Sequence, residues 1–436
     1  MFEKILSNVC LFLDEMTHVL NISRPKMIFA SELGLKRNID TIKSVSSIKK
    51  IIQFNGNLIV SGVVDYKSVG VHVNPCEYDA EEVQGWSDVA YILYSSGTTG
   101  LPKGVMLTHL NVTCLKFSNP QNTILLTIVP WYHAYGLMST INYIMVKKKL
   151  VYLNGFNPLK YLGSIPEYKV TTLAAVPPIV VFLAKAPIVE KYDLSSVTSV
   201  WCGAAPLTAE TIDQAMKRMP NCKGIFQAYG MTETSLAATK DIDDEKIQRK
   251  PGSGGYPLPG VKAKTSVKTR KKLGPNENGE ICFKGPIISK GYAGDEAATR
   301  SMFDEEGFMK TGDVGYYDKD GCFFIVDRLK ELIKYKGHQV APAAVESVVL
   351  AHAGVAECGV VGAPDEAAGE LPTAFVVKKP GATVTEKELL DFSALSSVSR
   401  LHGGVIFVDE IPKNQSGKIL RRALKQKLLE LRKSKL

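Results

Sequence analysis

A twelve-residue stretch, Tyr94-Ser-Ser-Gly-Thr-Thr-Gly-Leu-Pro-Lys-Gly-Val105, places three glycines, a row of Ser and Thr hydroxyls and Lys103 directly behind an apolar run. That composition suits phosphate. Glycines let successive backbone N–H groups close on an anion, while hydroxyls and an ammonium add donors and charge. Lys103 follows Pro102 and precedes Gly104, so the Gly-Lys-Ser/Thr ending of a P-loop is missing and an ordinary P-loop NTPase is disfavoured.

Further segments carry complementary chemistry. Gln227-Ala-Tyr-Gly-Met-Thr-Glu-Thr234 offers Tyr229 to stack on a purine, Thr232 to bond a phosphate, and Glu233 to hold Mg²⁺ through bound waters. Thr311-Gly-Asp313 and Asp327-Arg328 supply a carboxylate and a guanidinium, suited to ribose hydroxyls and phosphate. Pro412-Lys-Asn-Gln-Ser-Gly-Lys418 puts a lysine behind a glycine turn at the start of a helix. Taken singly, each has a plainer reading: Glu233 as a surface carboxylate, Asp313 as a turn residue, and His133 in Trp131-Tyr-His-Ala-Tyr-Gly136 as a core histidine. His109 and His338 read as structural or surface groups, and Lys147-Lys-Lys149 and Arg270-Lys-Lys272 as solvated turns.

These residues need a scaffold, and the pattern supplies an α/β one. The run 89–94 reads as a buried strand, with Thr108 as the cap of a helix after the loop. Strand-like runs at 123–129, 170–176, 197–202 and 224–229 alternate with helical patterns, as in parallel β/α layers. From 250 to 326 short strands are broken by turn pairs, with Lys319-Asp-Gly321 as a hairpin, so this part reads as a small antiparallel β subdomain. A fresh αβ pattern after 327 makes a small α+β C-terminal domain, giving boundaries of 1–327 and 328–436. In the first 88 residues only 42–54 is readable, as a helix or a strand pair.

Composition narrows the class. At 436 residues and 45% apolar content the chain can bury a large core. Eight scattered cysteines without a Cys-x-x-Cys pair suggest neither zinc nor a disulfide framework. The longest apolar run, 173–184, is too short to span a bilayer and contains Pro177 and Pro178. No secretory signal is seen at the start. The net charge of +9 is concentrated after residue 411, where nine Lys/Arg face one Glu and Leu420, Leu424, Leu428 and Leu431 recur at helical spacing. This is a basic helix face without interleaved aromatics, which argues against a nucleic-acid partner.

In their order along the chain, these motifs resemble the adenylate-forming (AMP-binding) superfamily, in its acyl-CoA synthetase, 4-coumarate:CoA ligase and beetle luciferase branch. The resemblance rests on Ser-Ser-Gly-Thr-Thr-Gly-Leu-Pro-Lys-Gly, Tyr-Gly-Met-Thr-Glu, Thr-Gly-Asp, Asp-Arg-Leu-Lys-Glu-Leu-Ile-Lys-Tyr-Lys-Gly and Ser-Gly-Lys-Ile-Leu-Arg-Arg, and covers roughly residues 20–436. It implies an ATP-dependent carboxylic acid:CoA ligase, acting on a fatty or aromatic acid through an acyl-adenylate, with ATP, Mg²⁺ and coenzyme A. Family roles then fall on Ser95, Ser96, Gly97, Thr98, Thr99, Gly100 and Lys103 at the pyrophosphate end, and on Gly203, Ala204, Ala205, Gln227, Tyr229, Gly230 and Thr232 around the nucleotide. Asp313 and Arg328 are implied at the ribose, Glu233 at the metal, and Lys330 at the hinge of a rotating C-terminal domain. Lys418 is implied in adenylation, Lys334 and Gln339 in thioester formation, Lys336 and Gly337 near coenzyme A, and His133, Tyr135 and Leu236 at the acyl pocket.

The resemblance is incomplete in places. The family carries about a hundred more residues ahead of the phosphate loop, and 115–123 and 392–400 look shortened, so an inactive relative of the same fold is an alternative. Leu236 stands where light-emitting luciferases have serine, which disfavours luciferase-like monooxygenase activity. The ending Ser434-Lys435-Leu436 matches the signal read by the peroxisomal import receptor, so a peroxisomal location is expected.

Overall fold

The structure is a computed structural model that describes residues 4–6, 13–57, 60–69, 81–95, 101–115, 122–203, 207, 209–243, 249–250, 252–267, 272–336, 338–393, 400–413 and 419–433, with backbone alone at 4–6, 13–15 and 433. The chain divides into two compact units. The first comprises Met1–Thr172, Gly230–Ala238 and Lys284–Met309; the second comprises Leu173–Tyr229, Thr239–Phe283 and Lys310–Leu436.

In the first unit, parallel strands Met27–Ala30, Lys50–Gln53 and Val63–Asp65 pack with helices Leu13–Ser23 and Glu32–Ser44 around Leu20, Leu35, Ile42 and Ile51. The readable segment 42–54 is therefore a helix end followed by one strand. Ser31 starts the second helix by accepting the N–H of Gly34 at 3.1 Å, an ordinary N-cap. Phe29, Leu33, Phe54 and Tyr66 each expose more than half their surface, leaving apolar side chains in water.

The strand expected at 89–94 is Val89–Ser95, buried through Ile92 and Leu93. It turns back into Lys103–Thr108, a second strand that the sequence reading missed, with Ser95 opposite Lys103. Thr108 does cap a helix, His109–Thr113, through a reciprocal box with Asn111. That helix starts six residues beyond Lys103, so Lys103 itself lies on a strand rather than at a helix N-terminus. The apolar residues Val105 and Leu107 decide this by entering the core, where each is fully buried. Gly291–Tyr292 adds antiparallel to Lys103–Thr108, and Ile124–Thr127 pairs parallel with Lys149–Tyr152.

In the second unit Thr172–Ala175, Ser199–Cys202, Ile225–Tyr229, Thr239–Lys240 and Tyr256–Pro257 lie side by side in that order. Ser199–Cys202 and Ile225–Tyr229 run parallel, as expected of β/α layers. Pro177 and Pro178 open helix Pro177–Lys185, where a missing N–H costs nothing. Met309–Tyr317 runs antiparallel to Phe323–Arg328, joined at the expected hairpin, where Gly321 takes φ +82°. Among the described residues no helix is long and apolar enough to cross a membrane, and all six described cysteines are free.

The C-terminal part of the second unit is a five-stranded sheet built on the long pair Val355–Asp365 and Gly369–Lys378. Helix Arg421–Lys433 buries Leu424 and Leu428 against Val361, Ala363 and Phe375, while the outer Leu420 and Leu431 stay exposed. Its basic face is not wholly solvated. Arg421 is half-buried: its Nη atoms pair with both oxygens of Glu346, the Nη2 contact at 3.1 Å, and Nε reaches Glu331 at 2.9 Å. Arg421→Ala leaves Glu346 charged and unpaired in the core and is expected to cost about 3–5 kcal/mol; Arg421→Met, which fills the space, should cost less than Arg421→Ala in denaturant melts.

Candidate active site

The chemistry-bearing residues gather in each unit separately. In the first unit, residues 230–236 form a tight turn. A Cβ at Gly230 would lie 2.2 Å from the carbonyl oxygen of Leu236 and 2.6 Å from the Cα of Ala237, so only glycine fits. Thr234, fully buried, closes the turn: its hydroxyl accepts the Met231 N–H at 2.9 Å. Ser235 takes the left-handed φ of +65° and is held there by a 2.7 Å bond from its hydroxyl to the Ile287 carbonyl. Thr232 and Leu236 are half-buried on this turn.

Glu233 is 5% exposed, not a surface carboxylate. Its carbonyl accepts the Ser289 N–H at 2.9 Å, and Oε1 accepts the Tyr292 hydroxyl at 3.0 Å. Burial, then the Glu233 charge, pushes the Tyr292 phenol above its ordinary range, so it remains a donor. The same Tyr292 ring lies under Lys103, whose Nζ is 4.6 Å from the ring centre. Tyr292 was missed by the sequence reading; the Gly-Tyr pair at 291–292 is a weak signal without the register that brings it to Lys103–Thr108.

At the mouth of the hairpin, Ser95 and Lys103 face each other across the strands. Ser96, Gly97, Thr98, Thr99 and Gly100 lie outside the described residues, as do Ala204, Ala205, Gly337 and Lys418. His133 is half-buried before helix Ala134–Met145, with its ring 4.7 Å from that of Tyr132. Burial lowers its pKa. Gly136 admits the close approach of the helix to the Pro130 carbonyl, 2.3 Å from where a Cβ would sit, and Tyr135 is half-buried beside it in sequence.

In the second unit, Asp313 and Arg328 are direct partners across the strands Met309–Tyr317 and Phe323–Arg328. Asp313, in a strand rather than a turn, is 8% exposed and accepts the Tyr229 hydroxyl at 2.6 Å on Oδ2; Arg328 Nε stands 3.6 Å from Oδ1. Burial and the Asp313 charge push the Tyr229 phenol well up, keeping it protonated. Gln227 serves the frame: its Oε1 accepts the Leu207 N–H at 3.3 Å. Gly203 donates its N–H to the Ala175 carbonyl at 3.4 Å.

Lys330 is exposed after the last of these strands. Lys334 and Gln339 are register partners on two adjacent strands, Ile333–Tyr335 and His338–Val340, not on a single one. Lys334, Lys336 and Gln339 are all exposed, and Lys336 takes φ +45° at the turn.

The donor sets fit a nucleotide and a hard cation. A buried carboxylate with one oxygen engaged suits a divalent ion with oxygen ligands, a lysine next to a glycine-rich sequence suits phosphate, and a carboxylate paired with a guanidinium suits a sugar diol. Among the described residues no cluster of three or more His, Cys, Asp or Glu could hold a metal ion.

Comparison with known proteins agrees with this reading. The AMP-binding enzyme family matches residues 8–293, and the AMP-binding enzyme C-terminal domain matches 344–418. Luciferin 4-monooxygenase of Nipponoluciola cruciata is 42% identical over 434 residues, 95% of this chain and 78% of the relative. 4-Coumarate–CoA ligase 2 of Nicotiana tabacum is 44% identical over 369 residues, 81% of this chain and 68% of the relative. The solved O-succinylbenzoate coenzyme A synthetase of Bacillus subtilis, in complex with ATP and magnesium ion, superposes with a TM-score of 0.79 at 28% identity, covering 97% of this chain and 84% of that one. The chain belongs to the AMP-binding, adenylate-forming enzyme family.

Two outcomes follow from the local geometry. Gly230→Ala must force the turn at 230–236 open and is expected to lower stability by about 1–3 kcal/mol in thermal or denaturant melts. His133, with its folded pKa below the ordinary value, binds a proton more readily when unfolded. Its contribution to stability is therefore complete above about pH 6.5 and lost as pH falls below that. His133→Gln should flatten this acid limb in melts recorded from pH 7.5 to 5.

Proposed function

We propose that the protein is an ATP-dependent carboxylic acid:CoA ligase that activates a fatty or 4-coumarate-like acid. The observation that carries this reading lies in the second unit, where Tyr229 is bonded to the Asp313–Arg328 pair; in the first unit, Glu233 is buried with one oxygen engaged by Tyr292. Those groups match what a ribose and a metal-bound polyphosphate require.

In the first half-reaction an acid oxygen attacks the α-phosphorus of ATP, the bond from that phosphorus to the bridging oxygen breaks, and pyrophosphate leaves with the electron pair. Asp313 and Arg328 hold the ribose; Ser95 to Gly100 and Lys103 bind the leaving pyrophosphate. Glu233 would hold Mg²⁺, which would supply positive charge for the departing phosphates. Lys418 supplies positive charge between the two anions as they approach, where their repulsion is greatest. In the second half-reaction the thiol of coenzyme A, as thiolate, attacks the acyl carbon and AMP leaves. Rotation of the 328–436 domain about Lys330 exchanges Lys418 for Lys334 and Gln339, with Lys336 and Gly337 near coenzyme A. The half-buried His133, neutral at pH 7, Tyr135 and the aliphatic Leu236 line the acyl side and favour an apolar acid. Ser434-Lys435-Leu436 directs the enzyme to the peroxisome through its import receptor, a proposal tested by masking the C-terminal carboxylate and following a tagged chain in cells.

The 42% identity to a luciferin 4-monooxygenase favours one second reading, oxygenation of an adenylated luciferin. Light emission with ATP, Mg²⁺, luciferin and oxygen would support it; darkness together with thioester formation supports the ligase. A pyrophosphate-release screen over acids of graded length, with and without coenzyme A, tests both the ligase and its acid. Lys418→Ala is expected to lower adenylate formation by at least a hundredfold, on the order of a transition-state electrostatic contact, while leaving thioester formation from a supplied acyl-adenylate nearly intact. Equal loss of both half-reactions would contradict the division of roles, and a folded wild type silent with every acid would favour an inactive relative.

A further inference from the structure

Tyr292 joins the two charged groups of the first unit. Its hydroxyl bonds Oε1 of Glu233 at 3.0 Å, while its ring lies 4.6 Å from Nζ of Lys103. No other described side chain is bonded to the Glu233 carboxylate, so Oε2 has no protein partner among the described residues.

The backbone around Tyr292 is tied on every side. Tyr292 is in register with Val105, the Ala293 N–H donates to the Gly104 carbonyl at 2.7 Å, and the Tyr292 N–H donates to the Thr299 hydroxyl at 2.9 Å. Gly291, at φ +133°, packs so closely on Thr299 that a Cβ would lie 2.3 Å from its methyl group. Two residues earlier Ser289 bonds the Glu233 backbone. The segment 289–293 therefore holds Glu233 by main chain and side chain while it supports Lys103 from below. A phenol is the side chain that does both: phenylalanine keeps the ring and loses the donor, and leucine loses both.

We propose that Tyr292 is a positioning residue for the metal and phosphate end of the nucleotide, resting on the functional reading above. The hydroxyl keeps one oxygen of Glu233 occupied by a neutral donor, so the carboxylate offers the divalent cation Oε2 in a single orientation. The ring holds the Lys103 ammonium at a fixed height by cation–π attraction, so that it meets the phosphates without first being ordered.

Mn²⁺ in place of Mg²⁺ gives a readout independent of turnover. Electron paramagnetic resonance of free Mn²⁺, titrated with protein and a non-hydrolysable ATP analogue, reads the ternary complex directly. Tyr292→Phe should weaken Mn²⁺ retention by roughly ten- to a hundredfold, the range for a hydrogen bond to a charged acceptor. Its pyrophosphate release should need correspondingly more Mg²⁺ and recover near-normal kcat when Mg²⁺ saturates. Tyr292→Leu should in addition weaken nucleotide affinity at saturating metal by about two- to fivefold through Lys103. Glu233→Gln separates the levels of the argument. If Glu233→Gln abolishes Mn²⁺ retention and Tyr292→Phe leaves it unchanged, the role of Tyr292 is overturned and the functional reading stands. If Glu233→Gln retains Mn²⁺ as the wild type does, or the wild type retains none, both are overturned. A Tyr292→Phe protein that melts lower with an unaltered metal dependence would show a structural role only and also overturn the proposal.

Discussion

The turn after Tyr229 passes through a space that admits no side chain at residue 230, and the placement of the reactive groups depends on it. A buried strand ends at Tyr229, whose hydroxyl reaches Asp313; four residues later in the sequence Glu233 is buried against Tyr292. With glycine at 230, a left-handed Ser235 and the buried Thr234 hydroxyl, the chain reverses without leaving polar groups stranded. That tightness keeps Glu233 buried beside Tyr292. A looser turn would leave a carboxylate in water, where it would hold a metal only weakly.

Charge burial in this protein follows one rule in two settings. Arg421 sits half-buried among carboxylates at the start of a helix, where the backbone dipole disfavours a cation, and it is tolerated because Glu346 and Glu331 satisfy it. Such a set contributes geometry more than stability, since an apolar side chain of similar volume could fill the same space. Glu233 is satisfied only in part, by a neutral phenol. A buried carboxylate with one oxygen open is the arrangement that welcomes a cation, whereas Arg421 has its guanidinium engaged by both carboxylates.

Much of the fold was legible because its elements announce themselves locally. The strand at 89–95, the cap at Thr108, the parallel strands at 199–202 and 225–229 and the hairpin at Gly321 each carry their own turn, cap or apolar signal. The strand Lys103–Thr108 was hidden because its first residues belong to a glycine-rich motif that reads as loop, and only pairing on both edges makes it a strand. Arg421 read as part of a solvated basic face because charge periodicity says nothing of carboxylates contributed from residues 331 and 346. Tyr292 was invisible for the same reason: its partners lie 59 positions away at Glu233 and far off at Lys103.

The sequence by itself determined the chemical inventory and the family, because side-chain type and short-range spacing are local properties written in consecutive residues. Glycines beside hydroxyls and a lysine, a Thr-Glu pair behind a strand, and an Asp and an Arg near two strand ends already specify what can be bound. Only the tertiary structure decided which inventory members meet. Strand register set Asp313 opposite Arg328 and brought Tyr292 beneath Lys103. Core packing made a buried carboxylate of Glu233 and a structural strut of Gln227. Register and burial are long-range outcomes of how whole sheets close on their apolar faces, and no window of neighbouring residues contains them.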